Sequence, residues 1–172
     1  GLRGTFRPLI EREYRLEVPE RMDADGKVLV PLDETAVGEA AQKLVALGCE
    51  AVVIHFLHSY INPAHEKRAA EIVCGLWPNP YVTAGHAILS EYREFERGVT
   101  AAVNASVQPV LARYLERLRA ELAAKGFDRD ILVMQGNGGT ISSQLIAEAA
   151  VNTVMSGPAS GVMAAAYTGR VS

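Results

Sequence analysis

Between Asp33 and Tyr167, helix-spaced apolar stripes alternate with short runs that are apolar on both faces. No other feature of the chain constrains its fold as much. Asp33 offers an N-cap and Glu34 puts negative charge in the first turn of a helix carrying Val37, Ala40, Ala41, Leu44 and Leu47; Gly48 ends it. Residues 51–57, Ala-Val-Val-Ile-His-Phe-Leu, suit a strand covered on both sides. Asn62-Pro63 then opens a second helix that buries Ala69, Ile72, Val73 and Leu76 and breaks at Trp77-Pro78. A short strand over 81–83 follows. From 94 to 124 the stripe Val103, Val107, Leu111, Tyr114, Leu118, Leu122 predicts a long helix. Pro109 predicts a kink in it or two abutting helices, and Lys125-Gly126 its end. Residues 131–134 read as a buried strand, 142–150 as a helix, 151–155 as a strand and 160–167 as a small-residue helix. Such alternation predicts a mostly parallel or mixed sheet flanked by helices.

Before this stretch, Tyr14, Leu16 and Val18 alternate over residues 12–18, and a second strand-like run starts at Lys27. Asp25-Gly26 between them predicts an N-terminal β-hairpin. The whole of 1–172 is expected to form one compact α/β unit, with the loop 85–91 as its only break.

Composition excludes several classes. Seventeen Lys+Arg against 20 Asp+Glu give a formal charge of −3, with no basic run to follow a nucleic-acid backbone. No apolar run approaches the ~20 residues of a membrane span, and the N-terminus lacks a basic-then-apolar leader pattern. Cys49 and Cys74 form neither a disulfide framework nor a metal-ligand spacing, so a cytoplasmic location is expected.

Four constellations could carry chemistry. Met134-Gln-Gly-Asn-Gly-Gly-Thr140 reads as a strand-turn-helix junction. Its glycines serve either a tight turn or a backbone cradle for an anion. It is not a Walker loop, because no Gly-Lys-Ser/Thr follows. Ser156-Gly-Pro-Ala159 starts a helix whose free amides could take phosphate or carboxylate, or a helix that packs closely through Ala159, Gly161 and Ala164. Glu91-Tyr-Arg-Glu-Phe-Glu-Arg97 is a solvated face, or it offers Arg93 or Arg97 to a carboxylate. His55, His58, His65 and His86 are core histidines, or His55 and His58 are ligand groups at the carboxyl end of a strand. No residue is assigned to a metal.

Five segments, in this order, resemble the A subunits of the hydantoinase/oxoprolinase family: residues 18–33, Ser59-Tyr-Ile-Asn-Pro-Ala-His-Glu66, Tyr92-Arg-Glu-Phe-Glu-Arg97 with Asn104, Met134-Gln-Gly-Asn-Gly-Gly139, and Ser156-Gly-Pro-Ala159. The resemblance implies a piece of a ribonuclease-H-like fold of the actin and sugar-kinase type. Residues 1–90 would then close the family's N-terminal region and 91–172 open its core region. It further implies ATP and Mg²⁺ in the full-length protein, with none bound tightly by this stretch alone, and phosphoryl activation of a hydantoin or 5-oxoproline ring before hydrolysis. A hydantoinase B-type subunit, or a fused equivalent, is the implied partner. Arg93, Glu94 and Arg97 are the implied catalytic group. Asn137, Gly138, Gly139, Ser156 and Gly157 are the implied substrate or nucleotide contacts.

The chain departs from the family at several points. It lacks both Asp-x-Gly-Gly-Thr phosphate motifs, it has Gly136 where Ser is usual, and Gly98-Val99-Thr100 replaces a Ser/Thr-rich run. An internal window between the two phosphate motifs, inactive alone, is therefore expected. A non-catalytic docking module, a ketone carboxylase subunit and a relative of acyl or sugar kinases are the alternatives.

Overall fold

The computed structural model describes residues 8–171. The chain divides into two compact units with the boundary between Ala105 and Ser106, inside a helix, where the sequence predicts one unit that breaks only at 85–91.

In the first unit, residues 12–18 do not form a strand. A 3-10 turn covers Arg12–Tyr14, and Val18 packs on the core from an unpaired extended segment. The alternation there serves packing without a partner strand. The hairpin lies further on, where β1 (Arg21–Met22) pairs antiparallel with β2 (Val28–Val30). Asp23 builds its turn: one carboxylate oxygen accepts the N–H groups of Asp25 and Lys27 at 3.0 and 2.8 Å, and Gly26 takes φ +79°.

Helix α1 (Glu34–Ala46) is capped as the sequence predicts, by Asp33 Oδ1 accepting the Ala36 N–H at 3.0 Å. β3 (Val52–Ile54) leads to α2 (Ala64–Leu76), then to β4 (Val82–Ala84) and the single turn α3 (Gly85–Ile88). Asn62 is used at both ends. Its Oδ1 accepts the Ala64 N–H at the start of α2, and its Nδ2 donates to Gly26 O at 2.7 Å, fastening the hairpin tip. β3 and β4 run parallel, Val52 opposite Val82 and Ile54 opposite Ala84. The core joins Val37 and Ala41 of α1, Val52 and Ile54 of β3, Ala69 and Val73 of α2, and Trp77. Burying each Val or Ile side chain here contributes about 1.5–3 kcal/mol, and each Ala methyl about 0.8 kcal/mol.

Helix α4 (Glu94–Ala124) is one continuous helix with Pro109 inside it, not two abutting ones. In the second unit, β5 (Leu132–Met134) pairs antiparallel with β6 (Thr140–Ser142). The short α5 (Ser143–Ile146), a 3-10 turn (Ala150–Thr153) and α6 (Ser156–Val171) follow. Three expectations are corrected here. Leu132 is 67% exposed, so β5 is not a buried strand. Residues 151–155 form a 3-10 turn and bend instead of a strand. The β-branched Thr140 and Ile141 make a strand that the sequence assigns to a turn. The fold is α/β, and the described residues form three two-stranded sheets, β3–β4 parallel and the other two antiparallel. In place of one mostly parallel or mixed sheet, the described strands pair two by two, β1–β2 and β5–β6 as local hairpins and β3–β4 across α2.

Candidate functional site

In the first unit, a buried polar cluster lies at the carboxyl ends of β3 and β4. Glu66 has no exposed surface. Its Oε1 accepts the Phe56 N–H at 2.8 Å, and its Oε2 accepts the His86 N–H at 2.8 Å and faces His86 Nδ1 at 2.7 Å. Arg97 is equally buried. Nη1 donates to Glu91 O at 2.7 Å and Nη2 to Phe56 O at 2.9 Å, with the guanidinium 5.9 Å from the Tyr60 ring centroid. Burying two charges is tolerable only when their bonding capacity is met, as it largely is here.

His55 is the ring between them. Its Nδ1 lies 3.9 Å from Glu66 Oε1 and has no hydrogen-bond partner. Gly85 and Gly98 flank it so closely that a Cβ on either would come within 3.1 Å of the imidazole. Burial pushes its pKa below the ordinary histidine value, and the Arg97 charge pushes the same way; Glu66 and Glu94 oppose this. His55 also lines two openings, of about 330 and 590 Å³.

Of the three residues expected to act in catalysis, the structure aims only Arg97 inward, and it spends Arg97 on main-chain carbonyls. Arg93 is exposed, paired with Glu96 at 3.3 Å and set over the Tyr92 ring. Glu94 is half-buried at the start of α4 and contacts His55 through its main chain. Asn104, buried, donates to Thr83 Oγ1 at 3.2 Å. His65 faces Glu20 at 2.8 Å. Glu66 is missing from the predicted site residues, since an acidic residue in a first helical turn normally reads as exposed. Its 3, 4 spacing with the buried Ala69 and Val73 is the signal that places it inside.

In the second unit, two separately predicted motifs converge. The glycine turn is a β5–β6 hairpin, not the start of a helix, so no helix dipole serves it. Gly136 lies against the segment before α6: its N–H donates to Asn152 O at 2.7 Å, and a Cβ there would overlap the Val154 carbonyl. Gly138, at φ +84°, packs on Met163 of α6. Two more amides are engaged within the turn, Gly138 N–H to Gln135 O at 3.0 Å and Gly139 N–H to Asn137 Oδ1 at 2.8 Å. With those three donors committed, the turn offers no open nest to an anion.

Ser156 and Gly157 begin α6 directly, after Met155 at φ +65°. Of the residues expected to pack this helix closely, Ala159 is half-buried while Gly161 and Ala164 are exposed. Among the described residues, no three His, Cys, Asp or Glu side chains converge as metal ligands, and no helix is long and apolar enough to cross a membrane. A phosphate cradle is therefore not built from these three turn amides.

The chain is similar to two enzymes of known structure. It superposes with a TM-score of 0.84 on the ATP-dependent caprolactamase from Pseudomonas jessenii, at 36% identity over 91% of this chain and 23% of that one. For nucleotide-free acetone carboxylase the TM-score is 0.82, at 32% identity over 96% and 24%. An uncharacterized protein of Methanocaldococcus jannaschii is 40% identical over 165 residues, covering 96% of this chain and 24% of the relative. Residues 2–75 match the hydantoinase/oxoprolinase N-terminal region, and 97–172 match hydantoinase/oxoprolinase. The chain belongs to the hydantoinase/oxoprolinase family, as the five segments imply, and spans about a quarter of the length of these relatives.

Proposed function

We propose that this chain is part of an ATP-dependent subunit that opens a cyclic amide, hydantoin or 5-oxoproline being the first candidates. The observation that carries this is its likeness, along nine-tenths of its length, to an enzyme whose name states both ATP dependence and a lactam substrate. In this reading the two units are portions of ribonuclease-H-like domains, and ATP with Mg²⁺ serves the whole protein. ATP would supply phosphoryl activation of the amide oxygen; no step of that transfer is assigned to residues of this chain.

The chain's own contribution is positional. Arg97 and Glu66 fix the backbone around Phe56, and Glu94 steadies His55 at the start of α4. Arg93 stays at the surface. Asn137, Gly138 and Gly139, brought against the lead into α6 with Ser156 and Gly157, are in this reading the second contact surface for substrate or nucleotide, met by the turn's outer face and the α6 start and not by the committed Gly136, Gly138 and Gly139 amides. A B-type subunit is the partner in this reading, supported by the relative described as caprolactamase subunit alpha.

The test uses the full-length subunit with its partner. ATP hydrolysis is measured with ε-caprolactam, 5-oxoproline and a hydantoin, each with product analysis. Ring opening coupled to ADP release is the expected result; ATP turnover that no cyclic amide stimulates refutes it. The likeness to acetone carboxylase favours ketone carboxylation as the second reading, which acetone-dependent ATP hydrolysis with bicarbonate would reveal.

A further inference from the structure

Both main-chain polar groups of one residue, Phe56, are held by three buried polar side chains. Glu66 accepts the Phe56 N–H, while Ser59 Oγ and Arg97 Nη2 both donate to the Phe56 carbonyl, at 3.2 and 2.9 Å. Ser59 is 3% exposed and the other two not at all. Two residues later the chain is pinned again: the His58 carbonyl accepts the N–H groups of both Ile61 and Asn62, and Asn62 is tied to Gly26.

Between these two anchors sits His58 at φ +58°, a left-handed conformation that glycine adopts without cost and histidine does not. Its Nδ1 is buried without a hydrogen-bond partner, while the residue as a whole is half-buried. Strained conformations persist where surrounding structure over-determines them, and they concentrate at ligand sites. The turn also leaves the carboxyl end of β3 in the parallel pair, where open α/β sheets place ligands.

We propose that His58 is a ligand-contacting residue whose imidazole hydrogen-bonds an electron-rich oxygen of the substrate, such as an amide or ketone carbonyl. Arg97 supplies the reason for an oxygen instead of a cation. Its fixed positive charge sits behind the turn, over Tyr60, whose ring lies 6.3 Å from that of His58. The inference rests on the functional reading above for the identity of the substrate, but not for the strain.

The test uses the full-length subunit with its partner and the variants His58→Gly, His58→Asn and His58→Val. Turnover is measured as ATP hydrolysis with ε-caprolactam, with 5-oxoproline, and with acetone plus bicarbonate. Hydrogen exchange at the Ile61 and Asn62 amides reports the turn itself. Glycine relaxes the backbone, so H58G keeps the protection of both amides within about twofold or raises it, and H58V loses it. Turnover of H58G falls by about tenfold or more, and H58N, which tolerates the same φ and keeps a hydrogen-bonding group, recovers part of it.

H58G turning over like wild type overturns the proposal. So does lost turnover accompanied by lost protection at both amides, which would make His58 merely structural. A wild-type enzyme idle with all three substrates sinks the functional reading and this contact with it; one active with any of them leaves the H58G result decisive for the contact alone.

Discussion

Replacing Arg97 by methionine removes a charge and two hydrogen bonds while keeping a long side chain in the same space. Two main-chain carbonyls, Glu91 O and Phe56 O, lose their guanidinium donors. Hydrogen bonds from charged groups contribute about 1.5–3 kcal/mol each, so the gross loss is about 3–6 kcal/mol. Part of that is returned, because methionine no longer requires a buried guanidinium to be stripped of water. Ser59 continues to donate to Phe56 O, which limits the damage at that carbonyl. The expected net loss is about 2–4 kcal/mol. Trp77 is the only tryptophan, and it lies buried in the first unit's core, so its fluorescence reports this unit directly. In urea the midpoint should fall by about 1–2 M if the slope is near 2 kcal/mol/M. Arg97→Lys should fall between, since one ammonium cannot span both carbonyls. A methionine variant within about 0.5 kcal/mol of wild type, with an unchanged slope, would refute the reasoning.

Three further outcomes are expected. The pKa of His55 is lowered in the fold, by burial first and by Arg97 next. The unfolded chain therefore takes up this proton first as pH falls, and the contribution is complete above about pH 6.5 and lost below it. Trp77-monitored urea midpoints at pH 7.5 and 5.5 should show that loss, and His55→Asn should shrink it; an unchanged difference would count against His55 as its source. Gly136→Ala, whose Cβ would overlap the Val154 carbonyl, should cost about 1–3 kcal/mol or more, read as lost hydrogen-exchange protection in β5 and β6. At Gly157 a Cβ meets open space, so Gly157→Ala should leave stability unchanged or raise it by up to about 1 kcal/mol, checked by thermal unfolding. Lost turnover in that stable variant would then point to a ligand approaching the α6 start.

What the sequence made legible was local. Asp33 caps α1, Gly48 and Gly126 take positive φ where helices end, and Asp25-Gly26 turns a hairpin. These depend on a few neighbouring residues, and short-range rules suffice for them. The misreadings share a different cause. Residues 12–18 and 151–155 have strand-like composition but no partner strand, and pairing is a long-range property that periodicity does not carry. Thr140 and Ile141 look like loop residues until β5 lies beside them. At the candidate site, the family motifs were visible but their connections were not. Glu66 and Arg97, 31 positions apart, meet on the main chain of Phe56, one at its N–H and the other at its carbonyl, and nothing in either segment announces it. The glycine turn was visible as a turn, yet only the structure shows its three donors already committed.

Asn62 has a consequence for how the molecule ages. Both ends of its carboxamide are in use, one accepting the first N–H of α2, after the N-cap Pro63, and the other fastening the hairpin tip. Conversion to aspartate would keep the acceptor and destroy the donor, releasing Gly26 while keeping the bond to the start of α2. Spontaneous deamidation proceeds through attack by the following residue's amide nitrogen, and Pro63 has no N–H to supply it. Asn137 stands in the opposite situation, followed by Gly138 in the sequence context that cyclises most readily. There the Gly138 N–H is held on Gln135 O at 3.0 Å. On storage, chemical wear in this chain should therefore begin at the glycine turn and spare the asparagine that joins hairpin to helix.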